Sequence, residues 1–232
     1  MPKRAASRLR AVLATRGNPL RRLLSGRRSD EGTHRGTSVD LLVVGLGNPG
    51  SEFAGTRHNV GADAVLELAR RHGTGRLRPV KGQRSTVEEV RIAGKRVALA
   101  VPTTYMNDSG AAVAPLVRRF GIEDPERLII VHDELDLPPG GLQVKSGGGL
   151  AGHNGLRSIQ AHLHTDGFVR IRIGIGKPAG GTGADHVLHR PSRRDRDELD
   201  ATTAKAADAV EVIAGAGLGA AMNRFNTKSP RP

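Results

Sequence analysis

The stretch Leu41-Leu42-Val43-Val44-Gly45-Leu46-Gly47-Asn48-Pro49-Gly50 decides the fold class. A short apolar run, half of it β-branched, ends abruptly in a loop punctuated by glycine and proline, the pattern of a buried strand running into a tight turn. Strands without polar alternation are covered on both faces, so helices should follow. From Asn59 to His72 apolar residues recur at Val60, Ala64 and Leu68, with Val65 beside them and Gly73 just beyond, which is an amphipathic helix with a glycine stop. His58 therefore sits immediately before a helix.

Further along, Thr86 to Ile92 alternates apolar with polar, turns at Ala93-Gly94-Lys95 and returns as Arg96 to Val101, a β-hairpin. Ser109 to Phe120 reads as a helix, Leu128 to His132 as a second buried strand, and Gly147-Gly148-Gly149 as a flexible stretch. Gly155 to Leu163 follows as a helix, then Phe168 to Ile175 as a strand with Arg170 and Arg172 on one face. Arg194 to Ala214 and Leu218 to Phe225 close the chain as helices, with no internal repeat. Strands interleaved with helices, plus one hairpin, imply an α/β fold with a mixed central sheet covered on both faces.

Composition narrows the function classes. The chain has no cysteine, which removes disulfides, thiolate nucleophiles and cysteine zinc sites and fits a reducing compartment. Apolar runs such as Leu128 to Val131 are strand-sized, so a soluble protein is expected, with no membrane partner. The net charge is +13, of which eight belong to Met1–Ser38, where ten Lys and Arg face only Asp30 and Glu31. That segment reads as a disordered basic extension over residues 1–38; a transit peptide, a misassigned start and a retained basic tail all fit it. One catalytic domain is expected over residues 39–228. The modestly basic body suits a polyanionic partner and equally a solvated basic surface, and with one Tyr, four Phe and no Trp it has few rings for stacking bases, so any nucleic acid would be gripped by its phosphates.

Gly45-x-Gly47-x-x-Gly50 has the spelling of a dinucleotide loop, but Pro49 interrupts it, and the acidic residue near the ribose position, Glu67, lies inside the following helix. A nicotinamide oxidoreductase is therefore set aside. What remains is a polar series at loops and strand ends: Asn48, Thr56-Arg57-His58-Asn59, Tyr105-Met106-Asn107, His132-Asp133-Glu134 and His153-Asn154. Each residue alone reads as a cap or turn former. Strand ends converge on one edge, so together these residues mark a ligand edge. His162-x-His164 and His186-x-x-His189 lack an acidic zincin signature, so no metal is expected.

Taken in order, GLGNPG with TRHN, PTTYMN, HDELDLPPG, GGG followed by GHNGL, RIRIGIG, and Val187-Leu188 resemble the bacterial peptidyl-tRNA hydrolase family from Leu41 to about Asn226. The resemblance implies a single-domain, three-layer α/β/α sandwich around a mixed, mostly parallel twisted sheet. It implies a cytoplasmic monomer without cofactor or metal, whose partner is peptidyl-tRNA released from ribosomes. Carried over by motif, His58 is the base for water, Asp133 orients its imidazole, and Asn107 stands nearest the water or developing oxyanion. Asn48 and Asn154 hold the peptide end and the terminal ribose region, and Tyr105 and Met106 line the cleft. Lys145 and Arg172 clamp the tRNA 5′-phosphate. Two positions depart from the pattern: Phe53 stands where tyrosine is common, at the substrate-binding mouth, and Gln143 where a basic residue is common. A rival reading is an RNA-binding relative that has lost hydrolysis, against which the retention of His58, Asp133 and Asn107 weighs.

Overall fold

Strand β1 (Leu41–Gly45) is buried along its whole length because it lies at the centre of the sheet. The computed structural model describes residues 38–178 and 180–226, so the extension expected over residues 1–38 lies, Ser38 apart, outside the described residues. After β1 come α1 (Val60–His72), the short edge strand β2 (Arg78–Pro79), the hairpin β3 (Ser85–Ile92) and β4 (Lys95–Pro102), and α2 (Ser109–Arg119). The second half runs β5 (Leu128–Glu134), β6 (Leu142–Ser146), α3 (Asn154–Leu163), β7 (Val169–Gly174), α4 (Gly183–Leu188), α5 (Arg193–Ala216) and α6 (Leu218–Phe225). The seven-stranded sheet has the order β2-β3-β4-β1-β5-β7-β6. Its four central strands are parallel, and β2, β3 and β6 join antiparallel at the margins.

Successive residues of a strand face opposite ways, so β1 feeds two cores. Leu41 and Val43 pack with Val60, Ala64 and Leu68 of α1 and with Val210 and Ile213 of α5. Leu42 and Val44 pack with Val113 and Leu116 of α2 and Ile159 of α3 on the other side. These are the three layers expected from sequence. The hairpin register pairs Ile92 with Lys95, which leaves a two-residue turn at Ala93 (φ 49°) and Gly94 (φ 80°), one residue tighter than the expected turn and of the kind that matches strand twist. At the far margin, the side chain of Asn226 accepts from Val144 N at 2.7 Å and donates to Val144 O at 2.8 Å, so the outer edge of β6 is capped by one carboxamide.

Contact between α1 and the sheet is backbone to backbone. A Cβ on Gly61 would lie 2.2 Å from the carbonyl oxygen of Val131, and one on Gly45 would lie 2.2 Å from that of Gly61. Since α1 begins two residues after His58, the same contact fixes the height of that histidine over the sheet. Gly61→Ala is expected to destabilise the protein by about 3 kcal/mol or more, because the clash is with main chain that cannot rotate aside. Urea unfolding measures this; a variant within about 0.5 kcal/mol of the parent, the usual range for an innocuous change, would contradict the close approach.

Candidate active site at the carboxyl edge of the sheet

The parallel strands β1, β4, β5 and β7 end on one edge, and the loops beyond them carry the polar series. His58 lies in a single 3-10 turn, Arg57–Asn59, leading into α1. Asp133 is near the end of β5, 3% exposed. Although 75 residues apart in sequence, His58 Nδ1 and Asp133 Oδ1 are 2.9 Å apart. A second imidazole meets the same oxygen, with His153 Nε2 at 3.0 Å. Burial pushes the Asp133 carboxyl up, but the charges and hydrogen bonds of His153 and His58 outweigh it and hold the group well below the ordinary carboxylate range. An ionised carboxylate can only accept, so both facing ring nitrogens are donors. For His58 that places the proton on Nδ1 and, in the neutral ring, leaves Nε2 with a lone pair. No group among the described residues bonds to Nε2, and the residue keeps 9% exposure.

His153 reaches the same tautomer by a separate route. It is the N-cap of α3, and its Nδ1 accepts from Gly155 N at 3.1 Å and Leu156 N at 3.4 Å. With Nδ1 accepting, Nε2 must carry the proton that Asp133 receives. The cap also bears on metal binding. His58, Asp133 and His153 present three potential ligand atoms within 4.8 Å of one another. A metal-bound histidine ordinarily donates its other ring N–H to an acceptor. His153 Nδ1 instead faces two donors, and ligation through Nε2 would strip the ring of both protons. The donor set favours a proton over a metal ion.

Next to Asp133, His132 is fully buried; its Nδ1 donates to the Asp133 carbonyl at 2.7 Å, and its Nε2 has no partner among the described residues. Burial, then the nearby His153, press its pKa well below the ordinary histidine value and keep the ring neutral. A folded pKa below the unfolded one means that, below about pH 6.5, the unfolded chain binds a proton the folded chain refuses. Stability is therefore lost as the pH is lowered below that value, by up to about 1.4 kcal/mol per unit from this group. Urea unfolding at pH 7.5 and 5.5 checks this: His132→Gln should lose less stability over that interval than the parent, and an equal loss would assign the dependence elsewhere.

The carboxamides lie on segments that adjoin this pair. Asn48, beyond β1, accepts from Met106 N at 2.7 Å through its side-chain oxygen, which leaves its NH2 as a donor. Its backbone is gripped at both ends by Asn59, whose oxygen accepts from Asn48 N at 2.8 Å and whose amide donates to Asn48 O at 2.9 Å. Asn107 and Asn154 are exposed at the first turns of their helical segments, and neither side chain has a partner among the described residues. The segments touch: a Cβ on Gly155 would lie 2.6 Å from Met106 Sδ and 3.0 Å from Leu46 Cδ1. The Phe53 ring meets the Tyr105 ring edge-on, centroids 6.2 Å apart, so two of the expected substrate-binding residues touch.

The basic pair is arranged less symmetrically. Lys145 on β6 is exposed and makes no ion pair among the described residues. Arg172 on β7 bonds Glu134 through Nε at 2.9 Å and a terminal nitrogen at 2.8 Å, and also donates to Gln143. It is thus neither a solvated outward residue nor an uncommitted cation.

A buried histidine–carboxylate pair whose outer ring nitrogen has no partner among the described residues, with carboxamides on adjoining segments at the carboxyl edge of an α/β sandwich, has the chemistry that hydrolysis by an activated water requires. Comparison with known proteins agrees, since a family model described as peptidyl-tRNA hydrolase matches residues 42–232. The chain is 50% identical over 201 residues to a peptidyl-tRNA hydrolase of Cutibacterium acnes, covering 82% of this chain and 100% of that one. It is 49% identical over 186 residues to one of Rhodococcus erythropolis, covering 80% and 97%. A crystal structure of peptidyl-tRNA hydrolase from Acinetobacter baumannii superposes with a TM-score of 0.76 at 39% identity, covering 86% of this chain and 100% of that one. The chain belongs to the peptidyl-tRNA hydrolase family.

Proposed function

We propose that this family member hydrolyses the ester between peptide and tRNA with a water molecule deprotonated by His58 Nε2. The observation that carries the reading is the bond between His58 Nδ1 and Asp133, which points the other ring nitrogen's lone pair out of the buried pair. Water oxygen attacks the ester carbonyl carbon as its proton passes to Nε2. The imidazolium so formed is stabilised by the Asp133 carboxylate. Collapse of the tetrahedral intermediate expels the ribose oxygen, which takes a proton back from His58 and leaves free tRNA and a peptide carboxylic acid, which then loses its proton to solvent. Asn107 donates to the developing oxyanion. Asn48 and Asn154 hold the peptide end and terminal ribose, reading amides rather than side chains. Phe53 and Tyr105 flank the entrance. Lys145 contacts the tRNA phosphate, and Arg172 contributes a charge that Glu134 partly offsets.

In the same proposal the domain spanning residues 39–228 acts as a cytoplasmic monomer without cofactor or metal. The capped His153 supports the absence of metal, and no helix of the described residues is long and apolar enough to cross a membrane. The peptide-binding groups are carboxamides, which suit an acylated nitrogen and offer no charge to a protonated α-amino group. Purified protein should therefore release N-acetyl-aminoacyl groups from tRNA much faster than free aminoacyl groups. Equal rates, or no release of either, would reject the assignment.

A further inference from the structure

Arg170 is only 1% exposed, yet its guanidinium pairs with no carboxylate within ion-pair distance among the described residues. It donates instead to three successive carbonyls: Gly147 O, Gly148 O at 2.9 Å and Gly149 O at 2.8 Å. Asp166 and Glu134 act on it only electrostatically, and its Nε has no partner. A buried positive charge is thus held by the negative ends of consecutive peptide dipoles. The loop can turn these carbonyls inward because Gly147 (φ 63°) and Gly148 (φ 87°) adopt left-handed backbone, which other residues resist. The glycine run that reads as flexible from sequence is therefore tethered.

Every described peptide bond is trans, and a trans peptide sets its N–H opposite its carbonyl. The N–H groups of Gly148, Gly149 and Leu150 accordingly point away from the guanidinium. None of them meets an acceptor among the described residues, and Gly148 and Gly149 are exposed. Lys145 lies over the same loop: a Cβ on Gly148 would be 3.0 Å from its Nζ and 3.5 Å from the Arg170 guanidinium. Three unpaired amide protons with the aligned positive ends of their peptides, and an unpaired ammonium at the margin of the same loop, offer the chemistry that receives phosphate oxygens.

We propose that the amides of Gly148, Gly149 and Leu150 form, with Lys145, a phosphate-binding element for the tRNA, and that Arg170 is the positioning residue that aims them. The inference rests on the hydrolase reading above and assigns its RNA grip to backbone as well as to side chains. Because Arg170 touches carbonyls and not substrate, its replacement acts on binding. Arg170→Lys keeps the charge, but one ammonium cannot hold three carbonyls, so KM for N-acetyl-aminoacyl-tRNA should rise about tenfold or more, as for the loss of hydrogen bonds to a charged group, while kcat stays unchanged. An unchanged KM would overturn the proposal.

A measurement on the unaltered chain covers the case in which that variant does not fold. Backbone amide shifts are followed while the full-length protein is titrated with an acceptor-stem minihelix ending in CCA, carrying either a 5′-phosphate or a 5′-hydroxyl, and separately with inorganic phosphate. Movement of the Gly148, Gly149 and Leu150 amides with the 5′-phosphate RNA and with inorganic phosphate assigns the element to the terminal phosphate. Movement with both RNAs assigns it to the phosphodiester chain, and either result supports the proposal. Binding of the minihelix with these three amides unmoved overturns it. Failure of the same preparation to release N-acetyl-aminoacyl groups would count against the hydrolase reading instead.

Discussion

Asp133→Asn should lower kcat by about 10²–10⁴-fold while the fold is retained. The carboxylate does two things that an amide cannot do together. It accepts from both His58 and His153 through one oxygen, and its charge favours the imidazolium formed as water is deprotonated. Asparagine can turn its oxygen to the histidines, which preserves their positions but supplies no charge. In the other rotamer its NH2 faces His58, and the ring must move its proton to Nε2, where the lone pair for water is lost. Either way the step that carries the proton is impaired, and KM should change little because Asp133 is buried beneath the substrate surface. A loss in kcat below about tenfold would show that the pair does not operate in the transition state.

His58→Ala removes the base itself, and kcat should fall by about 10³-fold or more. The packing penalty is small, because the ring belongs to neither hydrophobic core. Minihelix affinity should be retained, since Lys145 and the glycine loop are untouched. The residual rate should lose the pH plateau of the parent and rise in proportion to hydroxide, which then replaces the missing base. A variant that kept the plateau would place the base at another residue.

Much of the fold was legible because its central strands and long helices carry strong periodicity. Leu41–Gly45 is apolar throughout since it is covered on both faces, and the helix from Val60 was readable from its stripe and glycine stop. The elements that escaped reading are short or marginal: Arg78–Pro79 is two residues long, Leu142–Ser146 is an edge strand with three polar residues among its five, and Gly183–Leu188 spans under two turns. Their existence depends on tertiary partners, such as the Asn226 clip on Val144, that no local pattern encodes.

The site divides in the same way. His58, Asp133, Asn48, Asn107 and Asn154 were reachable through motifs, and the structure brings the first two into contact. His153 was missed because the motif drew attention to Asn154, whereas the capping residue is the histidine, and its ring closes the helix end and the carboxylate at once. Asn59 reads as a helix-start residue, yet it works as a brace for Asn48. Arg172 reads as a phosphate-facing cation, and the buried Glu134 that claims it sits on the neighbouring strand, a pairing visible only in the sheet.

The placement of one proton is the most direct test. Nitrogen-15 NMR of the imidazole side chains in the full-length protein at neutral pH reports which ring nitrogen of His58 is protonated. The expected spectrum shows His58 as the Nδ1–H tautomer with an unprotonated Nε2. A His58 that carries its proton on Nε2 in the neutral ring would have no lone pair facing water, and the mechanism derived from the Asp133 contact would be wrong.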